Sequence, residues 1–187
     1  MKYFLEEKYK TEKKKLAAVK NDGYNIQYIK NPSEAVKLAA VKEEGCAIEY
    51  IKNPSEVVKL AAVKQDCDAI RYIENPSEEM QLAAVKQAGF VIWDIRNPSE
   101  KVKLTAVKQN GYAIKFIKNP SEKVKLTAVK QDGLAIQYIE NPSEKLIYEA
   151  ILHTDDISEL KYLLAAKDID WDKVSDETKL LLEVKEF

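Results

Sequence analysis

A 22-residue period organises most of this chain of 187 residues. Full copies run over 31–52, 53–74, 75–96, 97–118 and 119–140, a degenerate copy covers 9–30, and a half copy begins at Asn141. All six prolines share one position of the repeat, and all five glycines share another. Self-similarity at a fixed period of this size is typical of a stacked repeat array, in which each copy buries its apolar faces against its neighbours.

Each copy predicts two short helices. The stretch Asn-Pro-Ser-Glu is a helix start, which we interpret with Asn as the N-cap, Pro as the first helical residue and Glu as the third. The helix then continues to the shared glycine, where we expect the left-handed residue that ends many helices. A second helix runs from there to the next Asn-Pro, because proline disfavours helical geometry in the residue before it.

The second element has a competing interpretation as a strand, which would give an α/β solenoid like that of leucine-rich repeats. In 112–118 the apolar residues Ala113, Ile114 and Ile117 fall at i, i+1 and i+4, which is a helical stripe and not an alternation. We therefore predict an all-α fold, an α-solenoid. Its predicted parts are an N-terminal cap with the degenerate first repeat over 1–30, five repeats over 31–140, and a half repeat with a helical C-terminal cap over 141–187.

Both ends of the array depart from the repeat consensus, as capping segments do. The first copy reads YKTEKKK in place of NPSExVK, so that Lys14 replaces an apolar residue. After about residue 153 the period is lost, and DISELKYLLAAK and SDETKLLLEVKE predict longer amphipathic helices with polar outer faces. Such segments would cover the apolar face that a terminal repeat leaves open.

Composition narrows the function classes. With 30 basic and 31 acidic residues the net charge is −1, whereas proteins that bind nucleic acid or membranes by bulk electrostatics usually carry a clear basic excess. No stretch approaches 18 apolar residues, and the N-terminus lacks an apolar signal segment. The two cysteines make no disulfide framework. We therefore expect a cytoplasmic protein with no membrane partner.

The helix cores AVKQDG, AVKQNG and AVKEEG, each followed by an AIxYI-like segment and a new helix start, carry a family resemblance. They resemble a family of short two-helix repeats that is catalogued as a domain of unknown function and occurs in bacterial, viral and protist proteins. The resemblance covers residues 9–140. It implies an all-helical array and brings neither an activity nor functional residues with it.

Little in the chain points to catalysis. The one histidine, His153, stands near Asp155 and Asp156, where a solvated histidine at a helix end is a simpler interpretation than a catalytic fragment. No glycine-rich phosphate-binding motif occurs. We predict that the protein is not an enzyme and takes no cofactor.

Two patterns raise the question of a metal. DIDWD at 168–172 begins like a calcium loop, but Lys173 and Lys179 stand where that loop needs Gly and Glu. Cys46 and Cys67 lie in successive copies, at repeat positions that differ by one. A disulfide between them and a metal site formed by both therefore stay open. We predict no metal site.

One lysine per copy falls in the last turn of the long helix: Lys20, Lys42, Lys64, Lys86, Lys108 and Lys130. Such a column is able to follow a phosphate backbone. Cations also complement the negative end of a helix dipole, which is the structural interpretation that we prefer. Nucleic-acid or polyanion binding stays as an alternative function, through Lys42, Lys64, Lys86, Lys108 and Lys130.

The copies differ tellingly at one exposed position of the short helix, which holds Gln27, Glu49, Arg71, Trp93, Lys115 and Gln137 in turn. Only Trp93 is aromatic. Phe90, Trp93 and Arg96 fall on one predicted helical line, and Asp94 beside them interrupts a column that is otherwise Tyr or Phe. Trp and Arg are the residues most enriched among interface hot spots.

Three interpretations of Trp93 stay open. It is an anchor for a binding partner, or it folds over its neighbours to cover the space left by the tyrosine that is absent at 94. The third interpretation is neutral sequence drift at a surface position without a role. The neighbouring copy is also irregular, since Cys67 stands where the others have glycine. A non-glycine residue at positive φ costs roughly 1–2 kcal/mol, so either the helix end is rebuilt there or the copy is strained. We expect a gain in stability of about 1 kcal/mol for Cys67→Gly.

We predict a non-catalytic helical-repeat scaffold that binds another macromolecule, and most directly a protein, through the irregular central repeats. The predicted partner-binding residues are Trp93 as anchor, Asp94 and Arg96 as polar orienters, and Phe90 and Arg71 as flanks. A polyanion binder and a self-assembling array of copies of this chain are the alternatives.

Overall fold

The structure is a computed structural model that describes residues 10–167 and 169–185. Within these residues the chain is helical and has no strand, which confirms the all-α prediction against the α/β alternative. The chain forms two compact units, the first made of Met1–Gln87 with Asp94–Asn97 and the second of Ala88–Trp93 with Pro98–Phe187. In each unit the helices follow the 22-residue period, so each unit is a helical solenoid.

Every copy contains a ten-residue α-helix followed by a six-residue 3-10 helix, which we call the long and the short helix. The long helices are Glu12–Asn21, Glu34–Glu43, Glu56–Gln65, Glu78–Gln87, Glu100–Gln109 and Glu122–Gln131. The short helices are Gly23–Tyr28, Gly45–Tyr50, Cys67–Tyr72, Gly89–Asp94, Gly111–Phe116 and Gly133–Tyr138. The C-terminal part adds the α-helices Glu144–Leu152, Ile157–Ala165 and Asp176–Val184 and the 3-10 turn Trp171–Lys173.

The long helix starts at Ser and Glu, not at Asn and Pro. Ser33 is extended and its hydroxyl accepts a hydrogen bond from the amide of Val36 at 3.2 Å, which is the geometry of an N-cap. Asn31 lies in the left-handed region with φ 49°, which asparagine tolerates better than most residues. The predicted assignment of Asn as N-cap, Pro as first residue and Glu as third is therefore wrong, and the asparagine turns the chain between the two helices.

The capping serine also joins neighbouring copies. The hydroxyl of Ser55 donates to the carboxylate of Glu34, the first residue of the preceding long helix, and Ser121 donates in the same way to Glu100. At the C-terminal end Glu144 accepts instead from the amide of Ser175 at 3.0 Å. The motif Asn-Pro-Ser-Glu thus encodes a turn, a helix cap and a contact from copy to copy.

The shared glycine is required by a close approach and not by a left-handed backbone. No described glycine has positive φ, so the prediction of a left-handed residue at this position is wrong. At Gly45 a Cβ would lie 2.6 Å from the carbonyl oxygen of Ala62 in the next copy. The amide of Gly45 donates to Oε1 of Gln65 at 2.6 Å, and this contact holds the two backbones at that distance.

Small and branched apolar side chains form the core of each unit. In the helix Glu34–Glu43, Val36, Ala40 and Val41 are fully buried, and Ile48 of the following short helix is almost so. Full burial of a Val or Ile side chain contributes about 1.5–3 kcal/mol. The copies 53–74, 75–96, 97–118 and 119–140 bury their residues at the same positions, because within each unit one copy packs its helices against the next.

The C-terminal segments form helices as predicted, but with nine residues each they are not longer than the long helices of the repeat, and their outer faces are not uniformly polar. Tyr162, Leu180 and Val184 are exposed. At the other end Lys14 is exposed in the first long helix, as a capping residue should be, while residues 1–9 lie outside the described part of the chain. Among the described residues, no helix combines the length and the apolar character that crossing a membrane requires.

Candidate functional site

The short helix Gly89–Asp94 presents two aromatic side chains of the second unit on one face. Residues three apart eclipse one another in a 3-10 helix, so Phe90 and Trp93 lie side by side. Trp93 is 70% exposed and Phe90 is 47% exposed. Arg96 was expected on the same line, but the helix ends at Asp94 and Arg96 follows it as an exposed residue.

Phe116 is the common neighbour of these two side chains. Its ring centroid lies 5.9 Å from that of Phe90 and 5.3 Å from that of Trp93, both in edge-to-face geometry. Such pairs contribute about 0.5–1.5 kcal/mol beyond the area that they bury. We call Phe90, Trp93 and Phe116 the aromatic surface.

Only one of the two contacts belongs to the repeat. The pair Phe90 and Phe116 recurs as Tyr112 and Tyr138 in the same unit, with centroids 5.8 Å apart. Trp93 adds a ring to this arrangement and remains largely exposed. It therefore contacts the next copy within the second unit and leaves most of its own surface open to solvent.

In the first unit, an ion-pair cluster stands where other copies have an aromatic pair. Tyr24 and Tyr50 pack edge to face at 6.2 Å, whereas the equivalent positions two copies later hold Asp68 and Asp94. The guanidinium of Arg71 lies 3.3 Å from the carboxylate of Asp68 and 3.5 Å from that of Asp94. The nearby charge of Asp68, and then that of Asp94, raises the pKa of Arg71.

This cluster changes the roles expected of two predicted binding residues. Arg71 and Asp94 satisfy each other's charge within the first unit, and the side chain of Asp94 is only 24% exposed. Arg96, by contrast, is exposed and has no ion pair among the residues that the structure describes. The sequence shows that both members of the aromatic pair are replaced by Asp near an Arg, but only the register between the copies shows that Arg71 meets both of them.

The two cysteines are free thiols, each partly buried. The thiol of Cys46 donates to Oδ2 of Asp66 at 3.3 Å. Burial, followed by the hydrogen bond to Asp66, raises the pKa of Cys46 to about 12, and burial also raises the pKa of Cys67. Because the thiolate is the nucleophile, neither side chain is activated for covalent chemistry.

Cys67 is not in the left-handed region, so the predicted backbone strain is wrong and the gain expected for Cys67→Gly loses its physical basis. A contact changes instead. Gln65 donates to the carbonyl of Glu43 at 3.0 Å, but in the next copy Gln87 donates to the carbonyl of Val63 at 2.6 Å. The larger side chain at position 67 is thus accompanied by a shifted glutamine contact.

Two other candidates for chemistry lie at the C-terminal end, and a third lies in the first unit. His153 ends its helix, and its Nδ1 lies 2.9 Å from the carbonyl oxygen of Glu149. Asp170 pairs with Lys173 at 2.7 Å, so a lysine stands inside the calcium-like pattern, of which Asp168 lies outside the described residues. Asp66, Cys67 and Asp68 bring three potential ligand atoms within 4.8 Å of one another.

The lysine column is exposed along both units. Two of its members have acidic neighbours: Lys64 lies 3.8 Å from Glu79, and Lys130 lies 3.0 Å from Glu149. The lysine of each pair is exposed, and ion pairs of exposed residues contribute about 0–1 kcal/mol to stability. This arrangement agrees with the interpretation of the lysines as cations that complement helix ends. Lys42, Lys86 and Lys108 remain as candidates for polyanion binding.

Sequence reasoning missed Lys167. Its ammonium donates to the carbonyl oxygens of Gln137 at 3.2 Å and Ile139 at 2.9 Å, and burial lowers its pKa. It borders a cavity of about 200 Å³ that Glu144 and Ile147 also line. Lys167 thereby fixes the C-terminal segment to the end of the last short helix.

Comparisons with known proteins give no indication of the function. No protein-family model, no curated protein and no solved structure matches this chain. The resemblance to the short two-helix repeats therefore stays a prediction.

Proposed function

We propose that this chain is a non-catalytic helical-repeat scaffold that binds another protein through the aromatic surface, with Trp93 as the anchor. One observation carries the proposal: the position of Trp93 is exposed in five of the six copies and half-buried in the last, and every other copy places a polar residue there. Its equivalents are Gln27, Glu49, Arg71, Lys115 and Gln137. The fold is built five times without an aromatic residue there, so the tryptophan is not needed for packing.

Burial of Trp93 would supply much of the affinity of a complex. Large exposed aromatic side chains are costly to leave in water and gain most when a partner covers them. Truncation of a tryptophan at the centre of an interface often costs about 2 kcal/mol or more, which is about 30-fold in Kd. Phe90, at its side, extends the apolar area that a partner can cover.

Affinity capture from the native source tests the proposal. The baits are the wild-type chain, Trp93→Gln and Glu49→Gln, where glutamine is the residue that Gln27 and Gln137 already place at this position. Both variants should fold, because the position is exposed, and Trp93→Gln should lose only the ring contact with Phe116, which contributes about 0.5–1.5 kcal/mol. We expect proteins that co-purify with wild type and with Glu49→Gln to be depleted from Trp93→Gln.

The same capture addresses the other partners. Recovery of equal sets by all three baits contradicts the proposal. Capture that nuclease abolishes would support the lysine column as a polyanion site, and capture of the chain by itself would support the self-assembling array. In both of these outcomes Trp93 is not the anchor for a different protein.

A further inference from the structure

Lys115 holds a positive charge next to the aromatic surface. It occupies the position of Trp93 in the next copy, in the short helix Gly111–Phe116, and is exposed. Its Nζ lies 5.9 Å from the ring centroid of Phe116 and 5.5 Å from that of Tyr138. Among the described residues, no carboxylate lies within ion-pair distance of it.

Aromatic rings position this charge without neutralising it. A lysine over a ring is attracted by the negative face of the ring, which restrains the side chain beside Phe116. Phe116 is at the same time the ring on which Trp93 rests. The surface therefore combines an apolar anchor with a cation that has no carboxylate of its own.

We infer that the partner presents a carboxylate within a few residues of an apolar side chain, so that the apolar group covers Trp93 while the carboxylate pairs with Lys115. This inference rests on the proposed function and specifies the chemistry of the partner. Charged groups across an interface are arranged to complement one another, and Lys115 lies over Phe116 of this surface without a carboxylate of the described residues to pair with it.

A protein segment fits the surface better than a nucleic acid. A single strand needs a basic groove that follows its backbone over several nucleotides, with rings that stack on successive bases. Here the next position after Lys115 is the neutral Gln137. Phe90 and Trp93 both meet Phe116 edge to face and not in parallel, so they do not form a regular stack.

Carbodiimide cross-linking of the captured complex tests the inference, because it joins a lysine amine to a carboxylate with no spacer. We expect a cross-linked peptide that contains Lys115 and an Asp or Glu of the partner. Lys115→Arg should keep the binding and lose this cross-link. Lys115→Gln should weaken binding about threefold, and Lys115→Glu about tenfold or more.

The outcomes separate this inference from the proposed function. If Trp93→Gln loses the partner while Lys115→Glu keeps full affinity, the acidic partner is wrong and the aromatic anchor stands. If Trp93→Gln keeps the partner, the proposed function itself fails. A cross-link from Lys115 to a second copy of this chain, or capture that nuclease abolishes, also overturns the inference.

Discussion

The carboxylate of Asp94 lies 3.5 Å from the guanidinium of Arg71 in the preceding copy. Asp68 and Asp94 occupy the positions where the first unit elsewhere packs Tyr24 against Tyr50. Two aspartates close together would repel one another, and Arg71 lies within 3.5 Å of both. Arg71 therefore accounts for the presence of Asp94, and this ion pair explains Asp94 without a binding partner.

Replacement of Arg71 tests this compensation. We expect Arg71→Gln to lower the free energy of unfolding by about 0.5–1 kcal/mol, since it leaves Asp68 and Asp94 without their counter-charge. In the background of Asp94→Tyr, which restores the consensus residue, the same substitution should cost less. Urea unfolding of the four proteins measures the coupling. Equal costs in both backgrounds would show that the pair contributes nothing.

A methyl group at the shared glycine should destabilise the fold. Gly45→Ala would place a Cβ 2.6 Å from the carbonyl oxygen of Ala62, and crowding of a packed backbone costs about 1–3 kcal/mol. Cys67→Ala is the matched control, because that copy already accommodates a Cβ, and it should cost clearly less. Thermal unfolding compares the two. A harmless Gly45→Ala would mean that the copies separate easily at this point.

Because the pKa of Cys46 is raised in the folded protein, we expect a loss of stability in alkaline solution. Burial and Asp66 raise its pKa from 9.0 to about 12, so between these values the folded state keeps a proton that the unfolded chain has lost. Stability is therefore full below pH 9 and falls as pH rises towards 12. Cys46→Ala should reduce this slope by up to one proton. Urea unfolding at pH 8 and pH 10 measures the difference, and an unchanged slope would show that Cys46 does not contribute.

The exposure of Trp93 can be measured directly. The chain has two tryptophans, so Trp171→Phe leaves Trp93 as the only one. We expect its fluorescence to resemble that of tryptophan in water and to be quenched efficiently by acrylamide at every protein concentration. Protection that grows with concentration would indicate self-association through this surface.

The regular part of the fold could be predicted from the sequence, because apolar residues recur at helical spacing in every copy. That prediction placed the left-handed residue at Gly45 and the N-cap at Asn31, whereas Asn31 is the left-handed residue and Ser33 is the N-cap. Spacing shows that a special backbone residue is present, but the approach of the next copy decides which one turns left-handed and which one has no room for a Cβ.

The candidate site, like the fold, could be predicted from the sequence only in part. Trp93 stood out because the copies can be compared with one another, and its exposure is as expected. The pairing of Arg71 with Asp94 and the position of Lys115 over Phe116 and Tyr138 depend on which residues meet between copies. The register between copies is a property of the packed structure, and local sequence patterns do not contain it.

The affinity of the captured protein for wild type and for Trp93→Gln tests the central claim most directly. Isothermal titration with the purified partner measures both dissociation constants under the same conditions. If Trp93 is the anchor, the variant binds at least about 30-fold more weakly, the equivalent of about 2 kcal/mol. Equal dissociation constants would contradict the account, since the partner would then bind without covering the aromatic surface.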